Sequence, residues 1–262
     1  MKIYKELLLV SLIMMMIFSI VSCKFGNVKE HLKVSGDFKY YSYKLNDIDW
    51  VWILEMSDEG IEKESIILPN EIDNKKINEG FGGRIKNGHF DFVVTGIKRL
   101  YIPSYLYHKI NRLDLSYYSE DNPISIFCPE YNSYVSSSIK KENNNSIIKY
   151  TSATEYYELM NKKSEQVEKD GIIPANVSYY LEEYYSKYCV YFIDDCDGTT
   201  VNIVPPNPIK EGYRFDGWYK DKDYNQKWNF ETDIVPPKQY DEQGNYIYHE
   251  TSIYAKFTYV GE

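Results

Sequence analysis

Histidine and cysteine are scarce: the chain of 262 residues holds four of each. His31, His89, His108 and His249 stand in no metal-binding spacing such as HExxH, or CxxC with a later HxxxH. No GxSxG elbow, phosphate-binding loop or GxGxxG turn occurs. A catalytic constellation therefore has no local signature, and neither a metal nor a cofactor is expected. Basic residues are also short. Thirty Lys and Arg face 39 Asp and Glu, for a net charge of −9. Such a chain lacks the basic face that phosphate contacts need, so nucleic acid is not an expected partner. Carboxylate pairs such as Glu182-Glu183 carry no information in so acidic a chain. Asp194, Asp195 and Asp197 cluster before Gly198 but lack the alternating oxygen spacing and distal glutamate of a calcium loop.

Long apolar runs are missing too, with one exception. Leu7 to Ser22 is almost wholly apolar and uncharged, behind Lys2 and Lys5. Those sixteen residues fall short of the roughly 20 that span a bilayer as a helix. A basic start, an apolar stretch and a small residue at its end make a secretory signal over residues 1–22. The ending Ile20-Val21-Ser22-Cys23 resembles a bacterial lipobox. That resemblance implies lipidation of Cys23 and a place on the outer face of the cell membrane. Several acyl chains, at about 0.8 kcal/mol per buried methylene, would hold the protein there. Removing Lys2, Lys5 and Glu6 with the signal takes the net charge from −9 to −10. Anionic lipid would repel such a chain, so the anchor must supply the membrane contact. Residues 23–36 show little periodicity and read as a tether.

What the chain has in abundance is tyrosine, 28 residues of it. Its apolar body and polar tip suit half-buried strands, or an adhesive surface. Phe38–Tyr43 and Trp50–Leu54 are rich in aromatic and β-branched residues and predict strands. Asp58-Glu59-Gly60 predicts a turn. A repeat follows: Ile66-Ile67-Leu68-Pro69, Leu100-Tyr101-Ile102-Pro103 and Ile126-Phe127-Cys128-Pro129 each read as a short strand stopped by proline. Ile77 and Ile110 trail the first two prolines by eight and seven residues. The pattern resembles the degenerate leucine-rich repeats of BspA-like surface proteins, in which stacked turns bury a common core. It implies a short, irregular β-solenoid over residues 37–135, with Cys128 as a small buried hydrophobe.

Residues 136–175 form a polar connector. Lys140–Asn145 is a loop by composition. Ser152 and Glu155 fit a capping box, and Tyr156, Leu159, Met160 and Val167 follow at helical spacing. A helix is expected over 153–169. Few contacts need cross such a connector, so the modules on either side are expected to fold separately.

The module at 176–262 carries the clearest signature: Gly212-Tyr213-Arg214-Phe215-Asp216-Gly217-Trp218-Tyr219, then Trp228 and Phe230, then Tyr254-Ala255-Lys256-Phe257. Gly212 and Gly217 suit unusual dihedrals or close backbone approach. Alternation puts Phe215, Gly217 and Tyr219 on one strand face and Trp218 on the other. These residues are similar to the Listeria–Bacteroides repeat, the B-repeat of internalins. That resemblance implies a β-grasp-like fold and a surface protein. Phe257 stands where tryptophan is common in the repeat, and Pro236–His249 is longer than usual. Val190 and Phe192 predict a strand, Asp194–Gly198 a turn, and Thr199–Val204 a second strand. Cys189 and Cys196 would lie on the order of 20 Å apart on an extended strand, beyond the ~7 Å limit of a disulfide.

The expected fold is thus mainly β. The expected function is that of a non-enzymatic, lipid-anchored surface protein that contacts a protein or glycan or serves as a stalk. An extracellular glycan- or solute-binding lipoprotein is the alternative, and an unrecognised hydrolase a third. The burial of the tryptophans separates the first two, because rings exposed in a pocket would bind and rings in a closed core would not.

Overall fold

The structure, a computed structural model, describes residues 28–85, 88–129, 148–151, 175–181, 190–244, 246–247 and 249–261. It is mainly β. Among the described residues the helical turns are short 3-10 segments at Val28–His31, Gly60–Glu62 and Ser104–Lys109. The helix expected over 153–169 lies outside the described residues, as does Cys23.

The first module opens on an antiparallel hairpin, Phe38–Leu45 against Ile48–Met56. Asn46 and Asp47 both take positive φ in its two-residue loop, a backbone twist that matches that of the flanking strands. Part of the expected tether belongs to the fold: Lys33–Ser35 pairs along Phe38–Leu45 as an edge strand. Its three residues were too few to show an alternation.

The proline-marked repeat becomes a ladder. Ser65–Ile67, Arg99–Tyr101 and Ile124–Phe127 lie parallel and in register, so that Ile66, Leu100 and Ile126 stand side by side. The pairing runs one residue further, with Leu68 N–H donating to Tyr101 O at 3.0 Å and Ile102 N–H to Phe127 O at 2.8 Å. Pro69, Pro103 and Pro129 follow, and proline cannot donate to a ladder. Ile148–Thr151 adds a fourth parallel rung, inside what composition marks as connector.

The inward row of this ladder, Ile66, Leu68, Leu100, Ile102, Ile126 and Cys128, is fully buried. It packs on Val51, Ile53, Phe81 and Phe92 of the opposing layer. There Lys75–Phe81 and Phe92–Val93 run parallel to Ile48–Met56. Ile77 and Ile110, spaced alike after their prolines, both reach this core. Cys128 is the small buried hydrophobe expected of its position.

The second module is a four-stranded mixed sheet in the order Val190–Asp194, Val177–Tyr180, Thr251–Tyr259, Tyr213–Tyr219. The two inner strands are parallel and the two outer pairs antiparallel, a β-grasp-like arrangement. All residues of Val177–Tyr180 and Val190–Asp194 are buried, so this side of the sheet is covered on both faces. Thr199–Val204 is not a strand. Asn202 N–H and Nδ2 donate to Asp194 at 2.9 and 3.0 Å, which spends the groups that a ladder would have used.

The two modules are not separate. The outward row of the ladder, Ile67, Tyr101 and Phe127, packs into the aromatic core of the second module. Tyr101 lies between Phe127 and Phe192, with ring centroids at 4.7 and 5.1 Å and near-parallel planes.

Candidate functional site

The signature strand holds a β-bulge. Phe215 pairs with Phe257 and Gly217 with Lys256, leaving Asp216 as the extra residue. One extra residue inverts the alternation. Phe215 therefore stands on the same face as Trp218, at 5.4 Å in edge contact, and not opposite it as strict alternation predicts. Gly217 takes φ +130°, a conformation L side chains rarely adopt, and a Cβ there would meet Lys227 Cε at 2.5 Å. Gly217→Ala is expected to lower the module's stability by about 1–3 kcal/mol, measured by thermal melting. Adding Lys227→Ala should not restore it, because the backbone and not the flexible lysine tip carries the strain.

The rest of the signature divides between core and surface. Trp218, Trp228 and Ala255 are buried, and Phe215, Phe230 and Phe257 pack partly buried against them. Gly212, at φ +75°, turns the chain into the strand. Tyr213 is exposed, with Lys210 Nζ 4.3 Å from its ring centroid. Tyr219 and its cross-strand partner Tyr254 stand on the opposite, outer face, where Tyr254 stacks on Tyr180 at the margin of the core. In the first module Trp52 is also buried, in a small cluster with Val28 and Leu54, while Trp50 is half-buried. Three of the four tryptophans are thus core residues and form no binding platform.

At the joint between modules sits a buried carboxylate. Asp194 accepts from Tyr101 Oη at 2.7 Å, Asp195 N–H at 2.8 Å, and both nitrogens of Asn202. Cys196 Sγ donates to it at 3.3 Å. Burial comes first, then the charge of Asp194, in holding the Tyr101 hydroxyl protonated far above its usual range. The same two causes push the Cys196 thiol up. Cys196 is a free thiol and lies in no disulfide; Cys189 falls outside the described residues. Asp195 is raised by burial, with Lys238 Nζ at 2.7 Å opposing the shift. Asp197 accepts Lys238 N–H at 2.8 Å. The acidic cluster thus fastens its own turn and the long 236–249 segment, whose strands Gln239–Tyr240 and Tyr246–Ile247 form a small hairpin. Among the described residues no group of three metal-ligating side chains converges.

Among the described residues two surfaces stand out. A cleft of about 480 Å³ lies where the modules meet, between Ile67, Pro69 and Tyr105 of the first and Tyr191, Pro208 and Ile209 of the second. The other is the outer face of the signature hairpin, in which Tyr213–Tyr219 turns back to an antiparallel bridge between Tyr219 and Lys227. Tyr219 and Tyr224 meet edge to face at 5.6 Å. Lys256 Nζ lies 5.2 and 5.6 Å from their centroids. Tyr254 stacks on Tyr180 at 5.6 Å, and Lys222 Nζ lies 5.9 Å from the Tyr254 ring. Tyr224 has φ +57° in a loop tied by Asp221, which accepts from Asn225 N–H and Gln226 N–H. Sequence reasoning missed Tyr101, Tyr224 and Lys256. An aspartate followed closely by Tyr224-Asn225 is a turn signal that could have flagged the second of these.

The fold and these surfaces define a two-module β protein whose C-terminal sheet closes on an aromatic core and leaves tyrosines and lysines outside. Residues 195–256 match the family model of the Listeria–Bacteroides repeat domain. That repeat is surface-associated in bacteria, and the C-terminal module is compatible with an extracellular interaction role. The match begins after Val177–Tyr180 and Val190–Asp194, so an inner strand of the sheet precedes the matched stretch.

Proposed function

We propose that this chain is a non-enzymatic surface lipoprotein, anchored through Cys23, whose joined modules hold an interaction face toward a surface protein or glycan. The match of residues 195–256 to a surface-associated repeat carries the reading. The parallel ladder before it is consistent with a degenerate leucine-rich-repeat-like stack, a second element of that kind. Support against catalysis comes from the joint. Cys196, the thiol described there, is buried and pushed up, so it is a poor nucleophile, since the thiolate is the reactive form.

The test is fractionation of cells that express the full chain. The wild-type protein is expected in the membrane fraction and accessible to protease added to intact cells. Cys23→Ala should move it to the soluble or secreted fraction, or stop its processing. Unchanged anchoring and unchanged mass in the variant would end the lipidation proposal. Protection of the wild type from external protease would end the surface assignment.

A further inference from the structure

We infer that the outer face of the signature hairpin, built from Tyr219, Tyr224, Tyr254, Lys256 and Lys227, binds a polysaccharide that carries carboxylate or phosphate groups. This deepens the surface-interaction reading and rests on it. The first observation is charge. The chain is acidic overall, yet Lys256 and Lys227 form no ion pair among the described residues. Three other cations of the module are held in ion pairs, Arg214 on Asp216, Lys220 on Asp233 and Lys238 on Asp195, while Lys210 and Lys222 lie over the rings of Tyr213 and Tyr254. Asp216 is within electrostatic reach of Lys256, but its carboxylate accepts from Thr258 and Arg214. Glu250, at the margin, accepts from Tyr180 and Ser252. An incoming anion therefore meets two ammonium groups not already neutralised in ion pairs.

The second observation is the arrangement of the rings. Tyr219, Tyr224 and Tyr254 are half-buried, and Tyr254 also packs against the margin of the aromatic core. Tyr224 meets Tyr219 edge to face from a left-handed backbone, φ +57°, that non-glycine residues adopt uncommonly. Lys256 rests against both rings, so the cation and the apolar ring faces form one surface. Lys227 crosses the bare Cα of Gly217 beside them. A sugar ring offers C–H groups to an aromatic face, and its acid groups would sit at the ammoniums. The face presents half-buried rings and an exposed Lys227 on the sheet surface, which suits a polymer crossing it. An acidic peptide would share the charge but not the ring stacking. Its usual route, addition to a sheet edge, is hindered here by the bulge at Asp216.

The test uses the full chain in a non-ionic detergent and four immobilised polymers: polygalacturonate, phosphomannan, neutral dextran and polyglutamate. Binding to one or both of the first two is expected, stronger than to dextran or polyglutamate. It should weaken several-fold between 50 and 500 mM salt, roughly as screened surface charges do. Lys256→Gln with Lys227→Gln should reduce binding about tenfold or more, the scale of two lost ionic contacts. Tyr224→Ala should reduce it with the charge unchanged. Tyr224→Gly suits the left-handed backbone and removes the same ring, so a loss in both variants assigns the effect to the ring and not to folding. Preference between the first two polymers distinguishes carboxylate from phosphate as the anion. Equal binding to dextran, or binding to polyglutamate as tight and insensitive to Tyr224→Ala, overturns the proposal. So does binding that the lysine pair does not affect. A protein that is surface-anchored yet binds none of the polymers loses this face assignment alone, whereas failure of the fractionation test removes the broader reading.

Discussion

Trp218→Ala is expected to lower the thermal transition of the joined modules by on the order of 10 °C. Trp218 is 3% exposed and pairs across the strands with Ala255. Its ring meets Tyr179 at 5.1 Å, Phe215 at 5.4 Å and Tyr191 at 6.0 Å. The indole N–H finds no hydrogen-bond partner among the described residues, so packing carries the contribution. Truncating a buried tryptophan costs about 3–5 kcal/mol. A domain commonly has about 5–15 kcal/mol in total, and 1 kcal/mol moves the transition of a cooperative unit of this size by about 2–4 °C. Trp218→Phe keeps a ring in the slot and should cost much less. Calorimetry or circular dichroism decides. A Trp218→Ala protein that melts like wild type but loses partner or glycan binding would mean that the ring is a surface contact and the core assignment is wrong.

Tyr101→Ala should separate the two modules. Tyr101 is fully buried, between Phe127 and Phe192, and its hydroxyl donates to Asp194. Removing the ring costs about 3–5 kcal/mol by the same cavity argument. Removing only the hydroxyl, in Tyr101→Phe, takes one donor from a buried carboxylate and should cost about 1–3 kcal/mol. The expected result is a single cooperative transition in wild type that splits or broadens in Tyr101→Ala, with Tyr101→Phe between them. By the same reasoning a fragment of residues 176–262 exposes Tyr191 and Phe192 and should melt below the full chain, or aggregate. A fragment that melts at the full chain's temperature would show that the joint contributes nothing.

Much of the fold was legible from residues. The three prolines locate three rungs, and the burial of Leu68, Ile102 and Cys128 follows from their shared position before proline. The aromatic signature located the edge hairpin of the second sheet. The fourth rung, Ile148–Thr151, was not legible: four residues without a following proline carry no period. The bulge at Asp216 was not legible either, because alternation presupposes an unbroken ladder. It moved Phe215 to the core side and left Tyr219 outside.

The two surfaces of interest came from distance along the chain. Tyr101 and Asp194 are 93 residues apart. Nothing local to Tyr101 says that the outward row of its ladder would be covered. Tyr219, Tyr224 and Lys256 likewise meet only because Tyr213–Tyr219 and Thr251–Tyr259 pair. By itself the sequence determined the β class, the proline-limited ladder and the repeat at the C-terminal end. Each of these is written in short-range periods and in the backbone limits of proline and glycine. The tertiary structure alone decided which aromatics are core, that the modules share it, and which lysines lie beside tyrosine rings outside ion pairs. Those outcomes depend on which distant surfaces exclude water from one another, and a local pattern specifies a face but not what covers it.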